Sequence, residues 1–212
     1  MLHIRRMNAN QREFIAHLRR VDPILHEVVL HHGEITLPDA QDPFTALCRA
    51  IIGQQLSTRA AATIFQRFNE WSLTELPSFR DLPSLIQRAD DNTLRSLGVS
   101  PQKISYLRAL SQAWIAHPEL YTHLDENSNE EILRILCAIK GIGEWTAQMF
   151  LIFTLHRPDV FAPGDLGIKK AMGKLYGIPM ASSINVFTDQ AEIWSPYRSL
   201  ACLHLWRSLD TP

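Results

Sequence analysis

The sequence predicts an all-α protein, on two main observations. Apolar residues recur at i, i+3 and i+4 through nearly every segment, and no run alternates with the period of two that a half-buried strand requires. Helix starts are also marked repeatedly. Asp22-Pro23, Asp42-Pro43, Ser100-Pro101 and Ser195-Pro196 each set a capping side chain before a proline suited to the first helical position. With 212 residues, 46% of them hydrophobic and 20% charged, the chain can bury a real core as one large domain or two intimate subdomains.

Taken in order, Asn10 opens a first helix with Phe14, Ile15 and Leu18 on one face, and Asp22 opens a second striped by Ile24, Leu25, Val28 and Val29. His31 and His32 read as solvated groups at that helix end, not as ligands. From Asp42 an apolar face of Phe44, Leu47, Cys48, Ile51 and Ile52 stops at Gly53, and Ser57 caps the next helix. Residues 71–90 look looser, broken by Pro77 and Pro83. A helix over 91–97 ends at Gly98, and Ser100 starts a longer one with Ile104, Leu107, Leu110 and Trp114 inward. Ser128 with Glu131 forms a capping box, 177–185 reads as a loop, and the last helix runs from Pro196 with Leu200, Leu203 and Trp206 buried.

Net charge is −1, so any affinity for nucleic acid must come from local placement of cations. Cys48, Cys137 and Cys202 lie far apart with no CxxC, and read as small buried residues of a reducing compartment. Nothing reads as a secretory leader or as an apolar run long enough to span a membrane.

The chain is organised around 135–172. There an amphipathic run closes on Gly141-Ile142-Gly143 and a second opens at Glu144-Trp145-Thr146-Ala147. Glycine reaches φ > 0 without a Cβ clash, which permits a tight turn, and the helix that follows presents backbone N–H groups able to hold a phosphate. A helix C-cap within a packed hairpin accounts for the same glycines. Further on, Pro163-Gly164 delivers Asp165 to a helix start. Asp165 reads either as a plain N-cap or as a reacting carboxylate.

Three matches together resemble the helix-hairpin-helix DNA glycosylase superfamily, in the compact form of the DNA-3-methyladenine glycosylase II type. They are Gly141-Ile142-Gly143-Glu144-Trp145-Thr146-Ala147, Phe161-Ala162-Pro163-Gly164-Asp165 and Arg49-Ala50-Ile51-Ile52-Gly53-Gln54-Gln55-Leu56-Ser57, and the likeness covers 42–206. It implies two helical subdomains, 42–155 and 1–41 with 156–212, and an active-site cleft between them beside Asp165. It implies base excision repair: alkylated purines of the 3-methyladenine and 7-methylguanine type are flipped out and hydrolysed from the sugar, leaving an abasic site. Asp165 would be catalytic, and Trp145, Met149, Leu166 and Trp194 would line the base pocket. Met149 and Leu166 stand where the resemblance suggests aromatic residues, which narrows the expected substrate range. Gln54, Gln55, Gly141, Ile142, Gly143, Glu144, Thr146 and Lys103 would contact DNA, with Gln55 as the wedge; a solvated Lys103 is the plainer alternative.

Lyases of the superfamily use a hairpin lysine, but Trp145 occupies that position and Lys140 lies on the wrong side of the glycines, so the enzyme is expected to be monofunctional. No cofactor is expected to be required. A structural Na⁺ or K⁺ on the carbonyls of Cys137, Ile139 and Gly141 is implied, whereas three cysteines cannot supply the four ligands of an iron–sulfur cluster. The expected partner is double-stranded DNA bearing alkylated bases, the expected state a monomer, and the expected place the prokaryotic cytoplasm or the eukaryotic nucleus. Two other readings stay open, a non-catalytic DNA-binding module and a mismatch-directed glycosylase acting on an uncharged base.

Overall fold

The structure, a computed structural model, describes residues 9–37, 39, 41–78 and 81–210. As predicted it is all-α, with no strand among the described residues. In chain order, α1 is Ala9–Val21, α2 Pro23–His32, α3 Pro43–Gly53, α4 Thr58–Glu75, α5 Leu82–Arg88, α6 Asp91–Ser96 and α7 Pro101–Ala116. They are followed by α8 Pro118–Thr122, α9 Asn129–Cys137, α10 Glu144–Phe153, α11 Leu166–Tyr176, α12 Ile184–Glu192 and α13 Arg198–Asp210. The chain divides into two compact units, Gln41–Phe150 and Met1–Ala40 with Leu151–Pro212. No described helix is long and apolar enough to cross a membrane.

In the unit Gln41–Phe150 the caps read from sequence are made. Asp42 accepts the Thr45 N–H at 2.8 Å, Ser57 that of Ala60 at 3.4 Å, Ser100 that of Lys103 at 3.4 Å, and Ser128 that of Glu131 at 3.2 Å. The predicted face of α3 is wholly buried and packs on α4 and α7. Arg108 of α7 then binds the end of α5, its guanidinium donating to the carbonyls of Ile86, Gln87 and Ala89. A helix end leaves such carbonyls without intrahelical partners, so one cation satisfies three of them and fixes where α7 lies. Two expectations are corrected. The loose segment begins only after Glu75, since α4 carries on through Trp71, and Cys137 is exposed at the end of α9.

In the other unit Asp22 does more than cap. Its side chain is 4% exposed and accepts from Leu25 N–H at 3.0 Å, Tyr176 Oη at 2.7 Å and Trp194 Nε1 at 2.7 Å. Three donors satisfy a carboxylate that burial would otherwise penalise heavily. Burial, then the bond to Asp22, pushes the Tyr176 hydroxyl far above its usual range. The expected helix start at Ser195-Pro196 is corrected: α13 begins at Arg198, and the Ser195 hydroxyl donates to Asp159 at 2.9 Å. Arg198 forks onto both oxygens of Asp159 at 2.7 and 2.9 Å. Burial works against the Asp159 charge, yet these bonds hold its carboxyl below the ordinary value. The loop expected over 177–185 gives way to α12 from Ile184, whose rich β-branched start hides a two-residue buried stripe, Phe187 and Ala191.

His32 is corrected too. It is half-buried and stacks on His204 of α13, ring planes 7° apart, with the two Nδ1 atoms at 3.4 Å. Burial pushes His204 from its ordinary 6.5 down to about 3, and the charges of His32 and Arg207 add to this. The unfolded chain therefore takes up this proton near pH 6.5 and the folded chain only near pH 3. The contribution is fully present above pH 6.5 and is lost as pH falls through the window down to about 3. Each retained proton difference is worth about 1.4 kcal/mol per pH unit. Urea unfolding between pH 7 and pH 4 should show a decline in stability that His204→Phe flattens. An unchanged decline in that variant would place the acid sensitivity elsewhere.

Candidate functional site

Two clusters, one in each unit, carry the residues singled out from sequence. The first is in Gln41–Phe150. Behind α3 the chain turns sharply at 53–56. Gln54 closes the helix with its N–H on the Ile51 carbonyl at 3.3 Å, and its side-chain amide donates to the Gly141 carbonyl at 2.9 Å. Gln55 then sits at φ 57° with an exposed side chain. A non-glycine residue in that region costs on the order of 1–3 kcal/mol, and such strain gathers at working sites. Lys103 is neither at large in solvent nor placed as a pure phosphate contact. Its ammonium donates to the Ile52 carbonyl at 2.7 Å, where the end of α3 favours a cation, and desolvation lowers its pKa.

The hairpin follows α9. Ile139 N–H reaches Leu136 O at 3.0 Å, Ile142 N–H reaches Ile139 O at 3.1 Å, and the buried Ile142 side chain anchors the turn. Its two glycines differ. Gly141 has φ +94°, and a Cβ there would fall within the Tyr106 ring. Nothing lies within 4 Å of a Cβ at Gly143, so the chain's own packing does not demand glycine at that position. The N-terminal end of α10, which favours an anion, thus begins at exposed Gly143 and Glu144. The Glu144 carboxylate accepts from Gln148 Nε2 at 3.0 Å. Trp145 is 48% exposed, and Met149 is half-buried. Thr146 is corrected as a DNA contact, because it is only 4% exposed and packs inward with Ala147. The Ile139 and Gly141 carbonyls each already accept one hydrogen bond; a carbonyl has two lone pairs, so each can still serve a hard cation. Burial, then the Glu144 charge, raises the Cys137 thiol.

The second cluster is in Leu151–Pro212. The 163–164 turn closes through Asp165 N–H on the Ala162 carbonyl at 3.1 Å. Asp165 then caps α11, its Oδ1 accepting the Ile168 N–H at 2.8 Å and the Trp206 indole N–H, also at 2.8 Å. The Trp206 ring stacks on Phe153 with centroids 5.7 Å apart. Gly167 suits this geometry, since a Cβ on it would lie 3.0 Å from the indole and 3.1 Å from Oδ1, and a neighbour would have to give by a few tenths of an ångström. Leu166, next to the carboxylate, is 71% exposed. Trp194 is corrected as a pocket residue. It is fully buried, bound to Asp22 through its nitrogen, and therefore has no face open to a base. Cys202 is held inert, burial and the charge of Asp165 pushing its thiol up to about 12.

Sequence reasoning missed Trp206, Gly167 and Tyr106 as parts of these clusters. Trp206 carried only its helical register, and Gly167 one signal: a glycine in the first turn of a helix, where propensity alone disfavours it.

An all-helical chain with a Gly-x-Gly hairpin and a carboxylate at the head of a later helix defines a class of DNA-handling folds. A family model described as "HhH-GPD superfamily base excision DNA repair protein" matches residues 48–196. The chain belongs to that superfamily. It is 34% identical over 172 residues to DNA-3-methyladenine glycosylase 1 of Schizosaccharomyces pombe, covering 80% of this chain and 74% of that one. It is 30% identical over 177 residues to DNA-3-methyladenine glycosylase 2 of Escherichia coli, covering 81% of this chain and 60% of that longer one. Among solved structures, the S. pombe 3-methyladenine DNA glycosylase in complex with abasic DNA superposes with a TM-score of 0.80 at 32% identity, over 93% of this chain and 97% of that one. A DNA-3-methyladenine glycosidase from Bacillus halodurans gives the same TM-score and identity over 96% and 90%.

The bond between Trp206 and Asp165 is testable in isolation. A hydrogen bond to a charged group contributes about 1.5–3 kcal/mol. Trp206→Phe should lower stability to urea by about that amount while keeping the stack on Phe153, and the loss should nearly vanish when Asp165 is already alanine. Equal losses in both backgrounds would mean that the indole acts through packing alone.

Proposed function

We propose that the protein is a monofunctional DNA glycosylase that hydrolyses alkylated purines, of the 3-methyladenine and 7-methylguanine type, from DNA. The observation that carries this is the Asp165 carboxylate, fixed by Ile168 N–H and Trp206 Nε1 at the head of α11, in a chain of the HhH-GPD superfamily. Names of relatives such as DNA-3-methyladenine glycosylase support the substrate class.

In the reaction the C1′–N bond breaks with its electron pair leaving on the base, and the sugar becomes oxocarbenium-like. An alkylated purine carries a positive charge and departs neutral, which makes it the better leaving group. The Asp165 carboxylate stabilises the sugar cation and takes the proton of the water that attacks C1′. Half-exposed Trp145 offers a stacking face, and an aromatic face prefers a cationic base by about 0.5–2 kcal/mol. Exposed Gln55, held at positive φ, fills the gap left by the flipped nucleotide. Amides at Gly143 and Glu144 take a phosphate; the carbonyls of Cys137, Ile139 and Gly141 would hold a monovalent cation, which would supply positive charge beside that anion.

Trp145 supplies no amine, so no Schiff base forms and the strand stays intact. Incubation with methylated duplex is expected to release free 3-methyladenine and 7-methylguanine and to leave alkali-labile sites, with no covalent adduct after borohydride. A trapped adduct would overturn the monofunctional reading. Binding without release of any base would make the chain a non-catalytic module, and release of mismatched, unalkylated bases alone would make it a mismatch glycosylase.

A further inference from the structure

We propose that the first two turns of α7 brace the 53–56 turn and the hairpin into one rigid element, so that gripping a phosphate and inserting Gln55 occur as a single coupled event. The inference rests on the wedge role just given to Gln55, but not on the chemistry of base release.

Three contacts converge. Lys103 Nζ donates to the Ile52 carbonyl at 2.7 Å, just before the wedge turn. The Tyr106 ring, one turn further along α7, occupies the place where a Cβ at Gly141 would lie, and its hydroxyl accepts from Gln102 Nε2 at 2.6 Å. Gln54 Nε2 closes the loop by donating to the Gly141 carbonyl at 2.9 Å, across 87 residues of sequence. Each contact lands on backbone, so the brace fixes the path of the main chain in both turns, not the rotamer of a surface group.

Two of the positive-φ residues of this unit lie at the two ends of the brace, Gln55 at φ 57° and Gly141 at φ +94°; a further one, Gly98, lies outside it. Strained backbone persists only where its surroundings over-determine it. Gln55 is preceded by two anchored residues, Ile52 on Lys103 and Gln54 on Gly141, while Gly141 is held by both the Tyr106 ring and the Gln54 amide. A wedge held in advance loses little conformational freedom on insertion, and a hairpin joined to it passes on its own alignment with the backbone. Composition points the same way, because Tyr106, Lys103 and Gln102 occupy one side of a helix start that otherwise needs only the Ser100 cap.

The test is a double-mutant cycle read as affinity for a duplex carrying a tetrahydrofuran abasic analogue. Gln55→Ala weakens the wedge, and Gly143→Ala crowds the phosphate grip without meeting any protein atom. In the otherwise native chain their effects should be coupled by on the order of tenfold, as for groups in one network. Tyr106→Ala should bring that coupling to within about twofold, Tyr106→Phe should preserve it, and Lys103→Met should reduce it. Lys103→Met also serves if Tyr106→Ala does not fold. Coupling that is absent in the native chain, or that survives both Tyr106→Ala and Lys103→Met, would overturn the brace. A chain that shows the coupling but releases no base would defeat the glycosylase reading and leave the brace standing. One that releases bases without coupling would do the reverse.

Discussion

The hydrogen bond from the Trp206 indole to the Asp165 carboxylate, at 2.8 Å, is the constraint on which the candidate reaction centre depends. It makes one oxygen answer to two elements at once, the first turn of α11 and the third turn of α13. The far end of α11 repeats the scheme. Tyr176, its last residue, donates to Asp22, and Asp22 also accepts an indole N–H, that of Trp194. The helix is thus pinned at each end by an aspartate that also holds a tryptophan. Bonds to charged acceptors are the strong ones among neutral-length contacts, about 1.5–3 kcal/mol each. Such a frame keeps a carboxylate in one orientation without reorganisation at the moment of reaction, which is what electrostatic catalysis requires.

The hairpin divides its labour differently. Gly141 is needed for the fold: φ +94° and the Tyr106 ring exclude any side chain. Gly143 is not, because open space surrounds it. A residue kept as the smallest possible where the protein itself has room points outward, to a large surface that must approach the backbone. The N-terminus of α10 at that spot makes an anionic surface the natural one.

Much of this was legible in the sequence. Caps at Asp22, Asp42, Ser57, Ser100 and Ser128 were readable because a short polar side chain before a periodic apolar run has one main use. The position of Asp165 as a cap was readable for the same reason. What stayed hidden was long-range. Trp194 and Trp206 look alike along the chain, and only packing sends one into the core onto Asp22 and the other to Asp165. Lys103 and Gln54 read as surface polar groups, since nothing local announces a carbonyl 51 or 87 residues away. Ser195-Pro196 misled because Asp159, distant in sequence, claims the hydroxyl that would have capped a helix. Thr146 entered the expected DNA contacts through the resemblance alone, and its side chain is buried, which no local pattern announces.

The central claim is that Asp165 reacts and does not merely cap. Asparagine is nearly isosteric and is itself a good N-cap, so a structural role forecasts almost no change on Asp165→Asn. The decisive measurement is the single-turnover rate of methylpurine release by Asp165→Asn, taken beside its duplex affinity and its melting curve. The account predicts a rate lower by about 10²–10⁴, with fold intact and affinity equal or tighter as one charge repelling the phosphates is removed. Release at a rate close to that of the unaltered protein would contradict it and send the search for the reacting group elsewhere in the chain.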